Sequence, residues 1–94
     1  MSLKDAYRQK IEAEIEELQA RLAILRAKAK QRVADGKIMT YEEIVETEQK
    51  LEAIKTKVKE LSNAGESAWQ ELKTGVDQAW SDLKKAWQKA ESKF

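Results

Sequence analysis

The chain has no cysteine, histidine or proline, and only three of its 94 residues are glycine. Without histidine or cysteine, the commonest general base and the thiolate nucleophile are both missing. Acidic and basic residues number 17 and 18, and a net charge of +1 gives no general attraction to nucleic acid. These absences predict a protein that is not an enzyme, holds no metal or other cofactor, and does not bind nucleic acid.

Long hydrophobic runs are also absent. No apolar stretch approaches the roughly 18 residues that span a bilayer, and the N-terminus lacks the hydrophobic region of a signal peptide. We therefore expect a cytoplasmic protein. The first three residues, Met1-Ser2-Leu3, fit a native start and a vector remnant before Lys4 equally well. The length predicts one domain over residues 1–94.

The abundant residues are Ala, Glu, Lys and Leu, a composition typical of long helices and coiled coils. A first helix is predicted over residues 4–34, because its apolar residues repeat with heptad spacing. Gly36 follows this helix and is suited to a left-handed C-terminal cap. The residues of this first seam are Ile11, Ile15, Leu18, Leu22, Leu25 and Ala29.

A second helix is predicted over residues 41–62. Thr40 and Glu43 form a capping-box pattern, and Met39 and Ile44 have the spacing of a hydrophobic staple. The short connection between the two helices favours an antiparallel hairpin. The seam of this helix is Ile44, Thr47, Leu51, Ile54, Val58 and Leu61.

Charge supports the same hairpin. Bases at 26–37 lie near the turn opposite the acids at 42–48, and the acids at 12–17 lie opposite the lysines at 55–59. Each exposed pair contributes only a few tenths of a kcal/mol, so the pattern indicates register and orientation more than stability. The i,i+4 carboxylate pairs Glu12/Glu16 and Glu42/Glu46 are interpreted as solvated charge.

The last third of the chain contains a tandem phrase, in which residues 68–73 (AWQELK) return as residues 79–84 (AWSDLK). Eleven residues are close to three helical turns, so both copies lie on one face of an amphipathic helix predicted over residues 64–93. All three tryptophans lie on this face, here called the Trp stripe. Its residues are Trp69, Leu72, Val76, Trp80, Leu83, Trp87, Ala90 and Phe94.

Two arrangements of this third helix stay open. It either continues the second helix, giving one rod of about 80 Å from 41 to 93, or folds back to complete a three-helix bundle. Asn63 and Glu66 could cap a new helix in the second arrangement. The fold prediction is all-α: an antiparallel helical hairpin, or coiled coil, with a C-terminal amphipathic helix that self-associates, and a three-helix bundle as the alternative.

The Trp stripe has three interpretations. It is the buried seam of a homo-oligomer, the surface that inserts into a groove of another protein, or a helix lying at a membrane surface. The first is favoured, because the segment carries equal numbers of acids and bases and so gains little from anionic lipid.

A second stripe runs along the first helix on the side away from its seam. Ala6, Ala13, Ala20, Ala27 and Ala34 recur every seven residues, and Ile24 lies among them. Alanine is the best helix former and can simply fill surface positions. The sharper interpretation is a second, close-packed helix contact within a multi-helix assembly.

The start KDAYRQK at 4–10, the charged hairpin, GESAWQELK at 65–73 and the repeated Ala79-Trp80 together resemble a family of small uncharacterised bacterial coiled-coil proteins. The resemblance implies an α-helical coiled coil and no assigned activity. Residues 66–93 also resemble the eleven-residue repeats of exchangeable apolipoproteins and late-embryogenesis-abundant proteins. The leading prediction is a self-associating, non-enzymatic scaffold. The alternative is a peripheral lipid-surface or stress-protective protein that uses the same stripe.

Overall fold

The computed structural model describes residues 2–36 and 41–94. In these ranges the chain forms three helices, α1 (Leu3–Ala34), α2 (Glu42–Asn63) and α3 (Trp69–Glu91), and no strand. The all-α prediction is confirmed. The molecule measures 54 × 19 × 17 Å, because three helices lie side by side along one long axis.

α1 begins two residues from the N-terminus, where the Ser2 hydroxyl accepts a hydrogen bond from the Asp5 amide at 3.2 Å. All six residues of its predicted seam are buried. The helix ends at Ala34, with Asp35 as its C-cap, and Gly36 has a φ of 82°. The predicted left-handed glycine is therefore confirmed, and it turns the chain because a right-handed helix cannot pass through this conformation.

α2 begins at Glu42, directly after Tyr41. The capping box of Thr40 with Glu43 and the staple of Met39 with Ile44 rest on residues outside the described ranges. All six predicted seam residues of α2 are buried, including the polar Thr47. The Thr47 hydroxyl donates to the Glu43 carbonyl at 2.7 Å, which satisfies the buried oxygen.

α3 folds back, so the continuous rod is not the arrangement found and the three-helix alternative is. At Ala64 the backbone leaves the helix with φ −79° and ψ 147°. α3 starts at Trp69 rather than 64, with Ala68 at the N-cap and no side-chain capping bond, so Asn63 and Glu66 do not cap it. Folding back lets one copy of the chain bury the apolar face of α3.

The predicted register of the hairpin agrees with the structure near the turn. Arg26 donates two hydrogen bonds to the Glu48 carboxylate, at 2.6 and 3.0 Å. Farther out, Glu12 and Glu16 line the same α1–α2 groove as Lys55 and Lys59. Lys55, however, forms its ion pair within α2, with Glu52 at 3.2 Å. Opposite charges therefore face each other across α1 and α2 as predicted, but not every predicted ion pair forms.

Candidate functional site

The Trp stripe of α3 faces the interior of this single chain. Trp69, Val76 and Leu83 are buried, with 6%, 1% and 0% of their surface exposed. Ala90 is buried as well, and the half-buried remainder of the stripe packs against the same core. These half-buried residues are Leu72, Trp80, Trp87 and Phe94. α1 and α2 thus cover the face that the sequence predicted to be the buried seam of a homo-oligomer.

Sequence reasoning missed the residues on one flank of this face. Ala86 is buried and Ala79 packs against the core, although neither was assigned to the stripe. Both lie just beyond its edge on the helical wheel, and alanine adds little to a hydrophobic pattern. Ala79, Ala86 and Ala90 are seven and four residues apart, and this helical spacing could have identified them as part of the buried face. α3 lies closer to α2 than to α1, because small residues fit between α2 and α3 while tryptophans fill the space toward α1.

Two tryptophans border an open groove between α1 and α3. Trp80 and Trp87 line a shallow cleft of about 220 Å³, opposite Leu18 and Arg21 of α1. Glu14, Glu17 and Lys84 complete its rim, so charges of both signs surround the rings. Such a cleft can accept an apolar side chain but has no group that distinguishes an anion from a cation.

Near the N-terminal end of α3, a cluster here called the Tyr7 cluster ties α1 to α3. The Tyr7 hydroxyl donates a hydrogen bond to the Asp77 carboxylate. The Lys73 ammonium lies 5.0 Å from the centre of the Tyr7 ring and donates to Asp77 at 3.1 Å. The ring of Trp69 lies 6.4 Å from that of Tyr7. An aromatic pair and a charged network therefore hold the first turns of α3.

This cluster perturbs two ionisations. Burial raises the pKa of Tyr7, and the neighbouring Asp77 carboxylate raises it further by accepting the phenolic proton in a hydrogen bond. Burial would also raise the pKa of Asp77, but hydrogen bonds from Tyr7 and Lys73 outweigh it and hold that pKa below its ordinary value. Both shifts favour the neutral phenol beside the ionised carboxylate.

A second cluster, here called the Arg32 cluster, holds the other end of α3. The Arg32 guanidinium lies 5.1 Å from the centre of the Phe94 ring and donates to the Phe94 carbonyl at 3.2 Å. Lys93 forms an ion pair with Glu43 of α2 at 2.8 Å. The hydrogen bond from Lys93 lowers the pKa of Glu43. Both neighbours of α3 thus contact the residues that directly follow it.

An exposed seam, consisting mainly of alanines, also runs along α1. The two most exposed large hydrophobic residues in the described ranges are Leu3 and Ile24, at 78% and 58%. Both lie in a ten-residue seam with three–four spacing along α1, and every member is exposed. Glu17 and Ile24 also border grooves between α1 and α3. We call it the outer seam. Its members are Leu3, Ala6, Lys10, Ala13, Glu17, Ala20, Ile24, Ala27, Gln31 and Ala34.

The described residues offer no cluster of three or more acidic side chains that could hold a metal ion. None of the helices in the described ranges is long and apolar enough to cross a membrane. In the same ranges, every buried side-chain nitrogen and oxygen has a hydrogen-bond partner. Buried polar side chains in these ranges are thus satisfied internally. The outer seam and the Trp80–Trp87 groove are two of the surfaces that a partner could contact.

Comparison with protein-family models, with curated proteins and with solved structures gives no match to this chain. The resemblance to small bacterial coiled-coil proteins therefore stays a prediction.

Proposed function

We propose that this protein is a non-enzymatic helical scaffold module that self-associates through the outer seam of α1. The observation that carries the proposal is the exposure of Leu3 and Ile24 within one ten-residue heptad seam. Heptad spacing is what a helix needs to pack along a second helix. Since α2 and α3 occupy the inner side of α1, a partner helix must come from outside the bundle.

Alanine at every seventh position supports a close approach of that partner. In this seam Ala6, Ala13, Ala20, Ala27 and Ala34 alternate with longer side chains. Small residues let two helix backbones come near each other, while the longer residues at the alternate positions interlock. The five alanines span four heptads, and three of them, Ala6, Ala13 and Ala20, lie within residues 3–24.

The seam is complementary to itself in one antiparallel register. When Lys10 lies opposite Glu17 of a second copy, Leu3 falls opposite Ile24, and Ala13 falls opposite the second Ala13 within one residue of helical rise. Each of these contacts occurs twice, as a two-fold interface requires. Opposite charges thus meet across an otherwise apolar contact, which favours a second copy of this chain as the partner.

Other registers are disfavoured by the same charges. A shift of one heptad places Lys10 against its own copy, or Glu17 against its own copy, depending on direction. A parallel pair places both against themselves. Glu17 also pairs with Arg21 of its own helix at 2.6 Å, and its carboxylate retains capacity to accept a second donor. We therefore propose the antiparallel pair in which Lys10 lies opposite Glu17 of the second copy.

The test is sedimentation equilibrium of seam variants. Ala20→Glu should weaken association by removing the outer-seam contact, because it places a long charged side chain where two alanines meet. Ala53→Glu is the matched control, since Ala53 is an exposed position of α2 outside the seam. If both variants self-associate as strongly as the wild-type chain does, the outer seam is not the contact.

Charge exchange tests the register separately. Lys10→Glu or Glu17→Lys alone should weaken association, because each creates two like-charge contacts in the dimer. The double variant restores opposite charges and should recover association at low salt. Failure of the double variant to recover would reject this register.

The lipid-surface alternative uses the Trp stripe instead. In the folded bundle this stripe faces α1 and α2, so a lipid-binding form requires α3 to leave its place. Trp80 and Trp87 are half-buried and border the open groove, so solvent already reaches part of both rings. The Tyr7 and Arg32 clusters oppose that release, and for this reason the scaffold is the preferred proposal.

A further inference from the structure

The two loops of the bundle differ in whether a helix can pass through them. In the first loop Gly36 has a φ of 82°, which interrupts any right-handed helix. In the loop at 64–68, no residue has a positive φ. Ala64 has a φ of −79°, already compatible with a helix, and departs from it through a ψ of 147°. Ala68 is in the right-handed helical region. Rotation near Ala64 and Gly65 is therefore enough to begin straightening the loop.

A straightened loop would keep the heptad phase of the helices on either side. Leu61 is the last seam residue of α2, and Leu72 packs against the core from the first turn of α3. Gly65 and Ala68 fall between them with spacings of four, three and four residues. A continuous helix would thus carry one uninterrupted seam, with its two smallest members in the middle.

α2 and α3 pack antiparallel, and residues that face each other are equally far in sequence from a point in the loop at 64–68. Glu43 pairs with Lys93, and the midpoint between them is Ala68. Glu46 and Lys50 line one groove with Lys85 and Lys89, in the antiparallel order that this midpoint requires. If two copies straighten their loops, the long helices cross at residues 67–68. Each α3 then meets the other copy's α2 in the register it has within one chain.

We propose that two copies of this chain exchange α3 by straightening the loop at 64–68, giving a dimer in which each Trp stripe is covered by the other copy. The exchange preserves the contacts of the stripe and forms new ones only where the two helices cross. Gly65 and Ala68 lie at that crossing, where small residues allow two backbones to approach closely. Exchange of an identical element is a low-cost route to a dimer.

Lys4 stabilises the unexchanged form. Its ammonium donates to the Ala64 carbonyl at 2.8 Å and to the Ser62 carbonyl at 3.4 Å, satisfying acceptors at the end of α2. In a continuous helix main-chain amides satisfy those carbonyls instead. Dimer formation also costs translational and rotational freedom. Because two chains must associate, the fraction of exchanged dimer increases with protein concentration. This mode of association does not depend on the outer seam of α1.

Gly65 offers a matched pair of variants for the test. A methyl group added at Gly65 meets nothing within 4 Å, so Gly65→Ala does not disturb the folded-back loop. Alanine favours a helix over glycine and should raise the dimerisation constant on the order of tenfold, since two loops straighten. Gly65→Pro blocks a continuous helix, whereas the extended Ala64 already has the conformation that a following proline requires.

The readout is a cross-link that distinguishes the two forms. The chain has no cysteine, so Lys50→Cys with Lys85→Cys places one thiol on each side of the α2–α3 groove. A short bis-maleimide should join them within one chain in the folded-back form. In the exchanged dimer it joins two chains, which migrate as a dimer on a denaturing gel. A dimer held through the outer seam gives only links within one chain.

We expect links between chains to increase with concentration, to increase further with Gly65→Ala, and to disappear with Gly65→Pro. Ala20→Glu, which removes the outer-seam contact, should leave them unchanged. Links confined to one chain at all concentrations in the Gly65→Ala variant would overturn the exchange, even if the protein sediments as a dimer. Loss of links between chains in Ala20→Glu would also overturn the proposal as stated, because the exchange would then depend on the outer seam.

Discussion

The Tyr7 hydroxyl donates a hydrogen bond to the Asp77 carboxylate, joining the start of α1 to the start of α3 across 70 positions of sequence. This contact ties the first half of α3 to α1. With the Arg32 cluster at the opposite end, α3 is held at both ends by polar and aromatic contacts. Its middle is held by apolar burial of Val76 and Leu83.

Acid should weaken the attachment of α3. The pKa of Asp77 in the folded state lies below its ordinary value of 3.8. The unfolded chain therefore binds its proton first as the pH falls. The stabilisation is complete above pH 4 and is lost as the pH falls through the lower, folded value. Urea unfolding from pH 5 to pH 2 should show a smaller loss of stability in Asp77→Asn than in the wild-type chain. Identical slopes would show that Asp77 does not contribute.

Alkali should act through the other partner of the same bond. The pKa of Tyr7 is raised above its ordinary value of 10.0. Its contribution is complete below pH 10, and it is lost at higher pH as the unfolded chain releases the phenolic proton first. In a Tyr41→Phe background Tyr7 is the sole tyrosine. Phenolate absorbance should then appear at higher pH in folded than in urea-unfolded protein. Coincident titrations would contradict the hydrogen bond from Tyr7 to Asp77.

Substitution of two glycines by alanine should change stability in opposite directions. Gly36 has a left-handed φ, so Gly36→Ala should destabilise the fold by about 1 kcal/mol. Gly75 lies within α3, and an added methyl meets nothing within 4 Å. Gly75→Ala should therefore stabilise the fold by roughly 0.5–1 kcal/mol. Thermal unfolding measures both. Stabilisation by Gly36→Ala would contradict the left-handed conformation of Gly36, and destabilisation by Gly75→Ala would contradict the open space around Gly75.

The first two helices were predictable to the level of single core residues. Both seams repeat a large apolar residue every three or four positions, so each residue of a predicted seam, from Ile11 to Leu61, is buried as expected. Gly36 was predictable because a left-handed cap needs glycine. Periodicity alone identifies such faces, since burial of one side of a helix is a local property of its sequence.

The course of the chain after α2 was not predictable in this way. The seam passes from Leu61 to Leu72 without a change of phase, so a straight helix and a folded-back one have the same local pattern. What separates them is tertiary contact, including the bond from Lys4 to Ala64 at 2.8 Å and the Tyr7–Asp77 bond. These join residues some 60 to 70 positions apart. No local pattern encodes such pairs, and for the same reason the sequence left the fold-back bundle, which covers the Trp stripe within one chain, as an alternative only.

Core burial of α3 predicts a large effect of one leucine. Leu83 is fully buried, at 0% exposure. Leu83→Ala removes its contacts and leaves a cavity, so it should cost about 2–5 kcal/mol in urea unfolding. Val45, which is 38% exposed on α2, provides the control. Val45→Ala should change stability by no more than about 0.5 kcal/mol. Equal effects of the two substitutions would mean that α3 does not dock against the bundle.

The tryptophans distinguish the scaffold from a lipid-surface protein. Trp69 is 6% exposed and the other two are half-buried. Single-tryptophan variants, with phenylalanine at the other two positions, should emit blue-shifted light in buffer. Acrylamide should quench Trp69 least. Because the stripe faces the core, vesicles should leave these spectra and the helicity unchanged.

A lipid-binding form would give the reverse result, and weakening both ends of α3 would enhance it. Tyr7→Phe removes the bond to Asp77, and Arg32→Ala removes the contact with Phe94. If α3 leaves the bundle to reach a membrane, the double variant should show a larger vesicle-dependent blue shift than the wild-type chain. The balance of charge on α3 predicts that this shift would depend little on anionic lipid or salt. A wild-type response to neutral vesicles, enhanced in the double variant, would favour lipid binding over the scaffold.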